Sequence, residues 1–406
     1  MSGSMSRPGA ISMTWAATFS LGAPGLADGP GPDLTVRPSK GIHIVVPRSR
    51  IAMSTGLLTR TEKSVLFVIP WGEHWLIGDT DTEWAFDPAY PVASRADVDY
   101  LLATVNHLLR APLTADDIEG VFAGLRPLVA ARDSADTTKL SREHSVDSSV
   151  PGLSVIAGGK YTTYRVMARD LIDAAARDLT ARPGPADAAP AARATPGAEG
   201  DGAAPVIPPS RTDRVPLAGA EGYPAMLADR DRLARSAGLP VAAIERLLGR
   251  YGSDTARLLE LIADRPALAS PVPGAGGYLG AEIVFACTHE GALRLDDVLS
   301  RRTRTTIEAR DRGAAAAAPA AALIAGELGW DELTTTAEVA RYLEIVAAER
   351  SAESMPDDAA AFAARTSARV TGPLPGRVSA SPPSPELPKR PRQAGGSLRS
   401  ATFLSS

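Results

Sequence analysis

Two consecutive glycines join a short apolar strand to a helix, and this succession limits the local fold more than any other feature. Leu153 to Ala157 is apolar, Gly158 and Gly159 follow, and an amphipathic stretch runs from Thr163 to Leu179. Glycines at such a turn permit backbone conformations and close approaches that other residues resist. The first turn of the helix leaves unpaired N–H groups, which favour a bound anion.

Three residues beside this turn strengthen the case for a ligand. Lys160 adds a positive charge, and Thr162 and Thr163 are favourable N-cap residues. A phosphate group would suit the turn, and so would the anionic face of a reduced flavin ring. A glycine-rich turn with an exposed lysine and no ligand explains these residues equally well.

The sequence around this turn predicts an α+β domain. A helix with one apolar stripe begins near Ser94, where Asp97 completes a capping box, and ends before Pro112. Short β-branched and aromatic runs predict strands, and we expect a mostly antiparallel sheet with flanking helices. The predicted strands are Gly41–Val46, Ser64–Ile69, Trp75–Gly78, Gly120–Leu128 and Leu153–Ala157.

Composition divides the chain into five parts. We expect a disordered Gly/Pro/Ser-rich leader (1–34), the sheet domain (35–180), an Ala/Pro/Gly linker (181–213), an all-α C-terminal domain (214–350) and a disordered Pro/Ser-rich tail (351–406). Predicted helices of the C-terminal domain are Tyr223–Ala237, Val241–Tyr251, Asp254–Ala263, Glu282–His289, Ala314–Leu328 and Thr336–Glu349, the last with a capping box of Thr335 and Glu338.

Charge and cysteine content narrow the function. The 406 residues carry a formal net charge of −4, which argues against a general nucleic-acid binder. The single cysteine, Cys287, can form neither an intrachain disulfide nor a thiolate cluster, so a cytoplasmic setting fits best. The five histidines show no metal-ligand spacing, and no metal is expected.

Arginines and a histidine supply further candidates. Arg126 lies within an apolar strand, where a guanidinium needs a carboxylate or phosphate partner. Arg142 is a second candidate, although a local ion pair with Glu143 explains it slightly better. His43 follows Lys40-Gly41 in another apolar strand; it is either a hydrogen-bonded core residue or a base whose pKa suits proton abstraction near neutral pH.

Several motifs, in order, resemble the FAD-dependent, quinone-linked glycerol-3-phosphate dehydrogenase family. The resemblance covers roughly Thr35 to Ala348 apart from the linker, and the family usually has Thr where Asp79 stands. The motifs are residues 37–48 (RPSKGIHIVVPR), 67–71 (FVIPW), 77–81 (IGDTD), 124–128 (GLRPL), 141–144 (SREH), 158–165 (GGKYTTYR), 280–290 and 297–304 (DVLSRRTR).

The resemblance implies an enzyme with an FAD cofactor. It implies that Arg126 and Lys160 hold the substrate phosphate or the C2 oxygen, that Arg142 supports them, and that His43 takes the C2 hydroxyl proton as hydride passes to the flavin. Gly158, Gly159 and the amides near Thr162 and Thr163 would contact the flavin ring. The reaction would convert glycerol 3-phosphate to dihydroxyacetone phosphate.

The implied electron acceptor is a membrane quinone, which agrees with peripheral contact on the inner face of the cell membrane. A homodimer stays an open option. The sequence also departs from the family, because it contains no strand followed by G-x-G-x-x-G, the loop that grips the FAD pyrophosphate. Two alternatives follow: a truncated, non-catalytic remnant that binds a phosphorylated ligand or a partner, and a flavin oxidase acting on an amine or amino acid.

Overall fold

The first half of the protein is built on an antiparallel sheet around one long central strand. The computed structural model describes residues 10–13, 35–61, 65–130, 143–148, 153–181 and 207–367. The strands are β2 (Thr35–Pro47), β3 (Leu57–Arg60), β4 (Val65–Trp71), β5 (His74–Gly78), β6 (Thr82–Glu83) and β7 (Gly120–Ala130). Their order is β3-β4-β5-β2-β6, and β7 pairs with the central strand β2 over eleven residue pairs.

Helix α1 (Arg95–Asn106) covers one face of this sheet. Its predicted capping box is present, since Asp97 accepts hydrogen bonds from the Ser94 amide and hydroxyl, both at 2.9 Å. Val98, Leu101 and Val105 of α1 pack on Ile42, Ile44, Val46, Leu66, Val68 and Ile77 of the sheet. Because strand side chains alternate between faces, the other face of β2 is left for the site described below.

A smaller sheet of three strands carries the glycine turn. Its order is β1 (Ala10–Met13), β9 (Leu153–Ala157) and β8 (Ser145–Asp147), with β1 parallel and β8 antiparallel to β9. Helix α2 (Tyr164–Ala181) follows β9 and packs Met167 and Leu171 on Ile156. Strand β1 lies within residues predicted to be a disordered leader, so that prediction is wrong at residues 10–13.

The C-terminal part is helical, as predicted. One expected helix is divided at Asp229, and the capping box predicted for Thr335 and Glu338 is wrong, because Asp331 caps that helix by accepting from the Thr334 amide at 2.7 Å. The helices are α3 (Tyr223–Ala228), α4 (Arg230–Ala237), α5 (Val241–Tyr251), α6 (Thr255–Asp264), α7 (Gly280–Thr288), α8 (Thr305–Glu308), α9 (Ala317–Leu328), α10 (Glu332–Ser354) and α11 (Asp358–Ser367), with a π-helical turn at Asp297–Arg302.

The expected end of the helical domain at residue 350 is wrong. Helix α10 continues to Ser354, and α11 lies within the stretch predicted to be a disordered tail. Helix α11 returns to the sheet domain, where Phe362 packs on Trp84 and Phe86. The fold is therefore α+β with an all-α C-terminal part, as predicted, and its last helix belongs to the packing of both parts.

None of the helices in the described ranges is both long enough and apolar enough to cross a membrane.

Candidate active site

The face of the sheet opposite α1 forms a shallow trough floored by glycines. Alternation along β2 places Ser39, Gly41 and His43 on this face. The register of β7 sets Arg126, Gly124 and Phe122 opposite them, in that order. Gly124 is exposed, with open space where a Cβ would stand. The trough thus has a guanidinium at one end and an imidazole at the other, with Gly124 open between them and Gly41 covered by Arg126 and Asp79.

Arg126 lies at the first end of the trough in a network of oxygen acceptors. Its Nη2 pairs with the Asp79 carboxylate and donates to the Thr80 carbonyl at 2.8 Å, and its Nη1 donates to the Ser39 hydroxyl at 3.3 Å. A Cβ on Gly41 would stand 2.3 Å from Nη2, so only glycine lets the guanidinium lie there. The sequence analysis required a carboxylate or phosphate partner for Arg126, and the structure supplies the carboxylate.

His43 lies at the other end of the trough. Its ring stacks on Phe122 with centroids 5.0 Å apart and packs against Gly78 of β5. Burial, and next the positive charge of Arg126, lower the pKa of His43 from 6.5 to about 4. The expectation of a near-neutral pKa is therefore wrong for this state of the protein. At pH 7 the imidazole is neutral and has a nitrogen lone pair, so it can accept a proton, although weakly.

The glycine turn has the backbone that its sequence predicted. Gly158 and Gly159 both have left-handed conformations, with φ of 81° and 77°. A Cβ on Gly158 would stand 2.5 Å from the Glu143 carbonyl and 2.8 Å from Val129 of β7. Val129 is three residues from Arg126, which corresponds to about 10 Å along a strand. The turn therefore lies at the end of β7, beyond Arg126, and packs on a side chain that alternation places on the other face of the strand from Arg126.

The residues after the turn face solvent. Lys160, Thr162 and Thr163 are exposed. The Thr163 hydroxyl accepts from the Lys160 amide at 3.2 Å and donates to the Lys160 carbonyl at 3.0 Å, which fixes the start of α2. Arg142 lies outside the described residues. The structure thus brings His43 and Arg126 to one trough and places Lys160 beyond the end of β7 that carries Arg126.

Comparisons with known proteins identify the family to which the chain is related. A family model described as FAD dependent oxidoreductase matches residues 15–170, and one described as the C-terminal domain of alpha-glycerophosphate oxidase matches residues 210–335. Glycerol-3-phosphate dehydrogenase 2 of Mycobacterium tuberculosis is 46% identical over 333 residues, which cover 82% of this chain and 53% of that protein. The mitochondrial glycerol-3-phosphate dehydrogenase of Homo sapiens is 31% identical over 304 residues, covering 73% of this chain and 38% of that protein.

The chain belongs to the FAD-dependent glycerol-3-phosphate dehydrogenase family.

The fold of the chain is also similar to that of a solved structure. The glycerol-3-phosphate dehydrogenase from Bacillus halodurans, complexed with FAD, is 26% identical and superposes with a TM-score of 0.57. The superposition covers 76% of this chain and 56% of that one. The chain spans about half the length of the mycobacterial relatives that it matches.

The sequence analysis gave no role to two partners of the site, Asp79 and Ser39. Asp79 appeared only as a departure from the family pattern, yet it is the ion-pair partner of Arg126. Ser39 bonds to both Arg126 and Asp81. The signal that could have found Ser39 was the i, i+2 spacing of Ser39, Gly41 and His43, which places all three on one face of β2.

Proposed function

We propose that this chain carries the substrate half of a glycerol-3-phosphate dehydrogenase, which oxidises sn-glycerol 3-phosphate at C2 to dihydroxyacetone phosphate. The observation that carries the proposal is the trough, where a guanidinium and a neutral imidazole flank the open backbone of Gly124 on one sheet face. Arg126 holds the phosphate or the C2 oxygen through charge-assisted hydrogen bonds, with Lys160 and Arg142 in support.

His43 is the proposed acceptor of the C2 hydroxyl proton. Burial, and next the charge of Arg126, lower the pKa of His43, so the added negative charge of a phosphate bound beside Arg126 raises that pKa again. Substrate binding thereby makes the imidazole a better base when the hydroxyl is present. Phe122 restricts the imidazole to one plane by stacking on it.

The residues of this chain fit one part of an FAD cofactor, the edge of its ring. Gly158 and Gly159 keep side chains away from that edge, and the start of α2 with Lys160 presents positive charge to it. The printed sequence carries no G-x-G-x-x-G for the pyrophosphate. When bound, FAD supplies the acceptor for the hydride from C2, and we propose that a quinone then receives the electrons at the inner face of the cell membrane, where a cytoplasmic protein makes peripheral contact.

The Arg126 trough also supports a second function. A module that uses the trough alone would bind a phosphorylated small molecule or a partner without catalysis. This alternative explains the site residues equally well and differs in its prediction for the cofactor, which makes the two functions separable by experiment.

The test combines cofactor binding with turnover. The purified protein is titrated with FAD while flavin fluorescence is followed, and reduction of a dye is then measured with glycerol 3-phosphate. The enzyme function requires FAD binding and substrate-dependent dye reduction. Glycerol 3-phosphate binding by calorimetry without either signal supports the module. Absence of all three signals overturns both functions for this chain.

Variants assign the signals to the trough. Arg126→Ala and Lys160→Ala should each lower kcat/KM by about 100-fold, the scale of a lost electrostatic contact to the reacting group. Arg110→Ala removes an exposed arginine after α1 and serves as the charge control. Rates for Arg126→Ala that match those of Arg110→Ala would remove Arg126 from the site.

A further inference from the structure

Lys40 is a fully buried charge on the opposite face of β2 from the trough. Its side chain has 0% exposure, and its ammonium pairs with Asp97 of α1 at 2.5 Å and with Asp358, the first residue of α11. The Trp84 ring lies beneath it, 5.4 Å from Nζ to the ring centroid. A buried cation is costly unless its partners stay in place, so these two carboxylates matter to the strand that carries Lys40.

The two carboxylates differ in their other partners. Asp97 already accepts from the Ser94 amide and hydroxyl as the capping residue of α1. Asp358 comes from a helix 318 residues further along the chain, and its side chain is 26% exposed. The sheet domain by itself therefore gives Lys40 one carboxylate that is shared, and the C-terminal helix provides the second.

Lys40 is linked to the trough by the adjacent residue of β2, Ser39. Ser39 points to the opposite face, where it accepts from Arg126 at 3.3 Å and bonds to Asp81. Lys40 and Ser39 pair with Thr82 and Glu83 of β6. A shift of β2 at Lys40 must therefore shift Ser39, and with it the guanidinium that we assign to substrate.

Helix α11 is held against the residues that follow β6 by aromatic packing. Phe362 stacks on Phe86 with centroids 5.0 Å apart and meets Trp84 edge-on at 6.1 Å. Arg365 lies over the Tyr90 ring, 5.5 Å from its centroid. This packing brings Asp358 to Lys40 in a defined position.

We propose that Asp358 is a positioning residue for the substrate trough: by balancing Lys40, it holds β2 so that Ser39 orients Arg126. The proposal rests on the proposed function for the role of the trough. The effect of Asp358 on the position of β2 can be measured without catalytic turnover. The proposal gives the C-terminal helix a part in substrate recognition from the far side of the sheet.

Three variants of the 406-residue chain test this role. Asp358→Asn removes the charge, and Asp358→Glu retains it as the conservative rescue. Asp357→Asn is the matched control, because Asp357 precedes α11 and accepts from the Ala360 amide at 2.9 Å, a bond that asparagine also makes.

The first measurement is amide hydrogen exchange, which needs no ligand. We expect Asp358→Asn to accelerate exchange at least tenfold in peptides that span Ser39–Gly41 and Arg126, with wild-type rates for Asp357→Asn and near-wild-type rates for Asp358→Glu. Equal exchange in Asp358→Asn and Asp357→Asn overturns the proposal.

The second measurement is the dissociation constant for glycerol 3-phosphate by calorimetry, with KM and kcat where turnover occurs. We expect Asp358→Asn to raise the dissociation constant or KM about tenfold with kcat changed less than threefold. If the wild-type chain binds no glycerol 3-phosphate, the proposed function fails, whereas the exchange measurement still decides the role of Asp358.

A double variant separates positioning from general stability. In a Lys40→Met background no buried ammonium remains for Asp358 to balance, so Asp358→Asn should add no further effect on exchange. If Asp358→Asn has its full effect in that background, Asp358 acts independently of Lys40 and the proposal is wrong. The same comparison applies if Asp358→Asn alone unfolds the protein, because the proposal then requires the double variant to be as stable as Lys40→Met.

Discussion

Arg126 carries the proposed anion binding, yet acidic residues of the segment after β5 balance its charge in the structure. Asp79 pairs with it directly, and an oxygen of Asp81 lies 3.9 Å from Nη1. The second oxygen of Asp79 is buried and accepts no hydrogen bond from the described part of the chain. A phosphate bound as proposed must therefore compete with Asp79 for Arg126, which makes Asp79 a determinant of the affinity for that phosphate.

Asp79→Asn tests this competition. The amide keeps the shape and removes the charge, so we expect affinity for glycerol 3-phosphate and for inorganic phosphate to rise about tenfold, the equivalent of about 1.4 kcal/mol. Calorimetric titration measures both ligands, and Asp99→Asn, an exposed site on α1, controls for net charge. Weaker binding by Asp79→Asn would instead show that Asp79 is needed to orient Arg126.

His43 makes stability depend on pH in a defined window. The unfolded chain takes up a proton at His43 near pH 6.5, whereas the folded protein does so only near pH 4. Between these values protons favour the unfolded chain, so the free energy of unfolding falls as the pH is lowered through this window, by at most about 3 kcal/mol.

Replacement of His43 should remove this part of the pH dependence. In His43→Gln, urea unfolding at pH 7 and pH 4.5 should show a smaller stability difference than in the wild-type protein. His107→Gln, at an exposed histidine after α1, should retain the wild-type difference. The same slope in His43→Gln and wild type would exclude His43 as its source.

The sequence identified individual residues of the trough better than their partners. His43 and Arg126 stood out because a polar side chain in an apolar strand needs an explanation. Their juxtaposition depends on the register of β2 with β7, and the pairing of Lys40 with Asp358 depends on how a distant helix packs. Residue spacing alone contains neither kind of information.

At the scale of elements, the turn between β9 and α2 depends on Gly158. Its φ is 81°, and a Cβ there would stand 2.5 Å from a carbonyl oxygen. We expect Gly158→Ala to lower the free energy of unfolding by about 2 to 3 kcal/mol, through left-handed strain and the close contact. Chemical denaturation measures this loss.

Gly249→Ala is the matched control for this substitution. Gly249 lies exposed within α5 with open space at its Cβ position, so alanine there should stabilise by up to about 1 kcal/mol. Equal effects of the two alanines would contradict the strained turn.

Element prediction succeeded where periodicity was strong and failed where composition was used instead. The stripe of α1 and its capping box were both found, as was the strand–glycine–helix succession. Helix α11 was missed because Pro and Ser dominate the residues around it, although its own run of alanines after Asp357 and Asp358 is a good helix with a capped start. Strand β6 has two residues and no signal of its own.

At the scale of the molecule, the helical part closes the free edge of β7. Arg312 is buried and donates to the Val121 carbonyl at 3.0 Å, and it forms two bonds with the Glu353 carboxylate at 3.0 and 2.8 Å. The Ile307 carbonyl lies where a Cβ on Gly120 would stand. A side chain from the loop before α9 thus joins the sheet edge to α10, and the two parts should unfold together.

Arg312→Met breaks this junction and leaves Glu353 without its cation. We expect the free energy of unfolding to fall by about 3 to 5 kcal/mol, the usual result of removing one partner from a buried pair. Burial already raises the pKa of Glu353 above 4.5, and loss of Arg312 raises it further. The folded variant then binds a proton that the unfolded chain releases, so its stability falls as the pH rises through that range, and the deficit is larger at pH 8 than at pH 5. Thermal and urea unfolding at both pH values measure this difference, with Arg310→Met as the exposed control.

Adding Glu353→Leu should recover part of the loss and abolish its pH dependence, whereas strictly additive losses would show that the pair does not join the two parts.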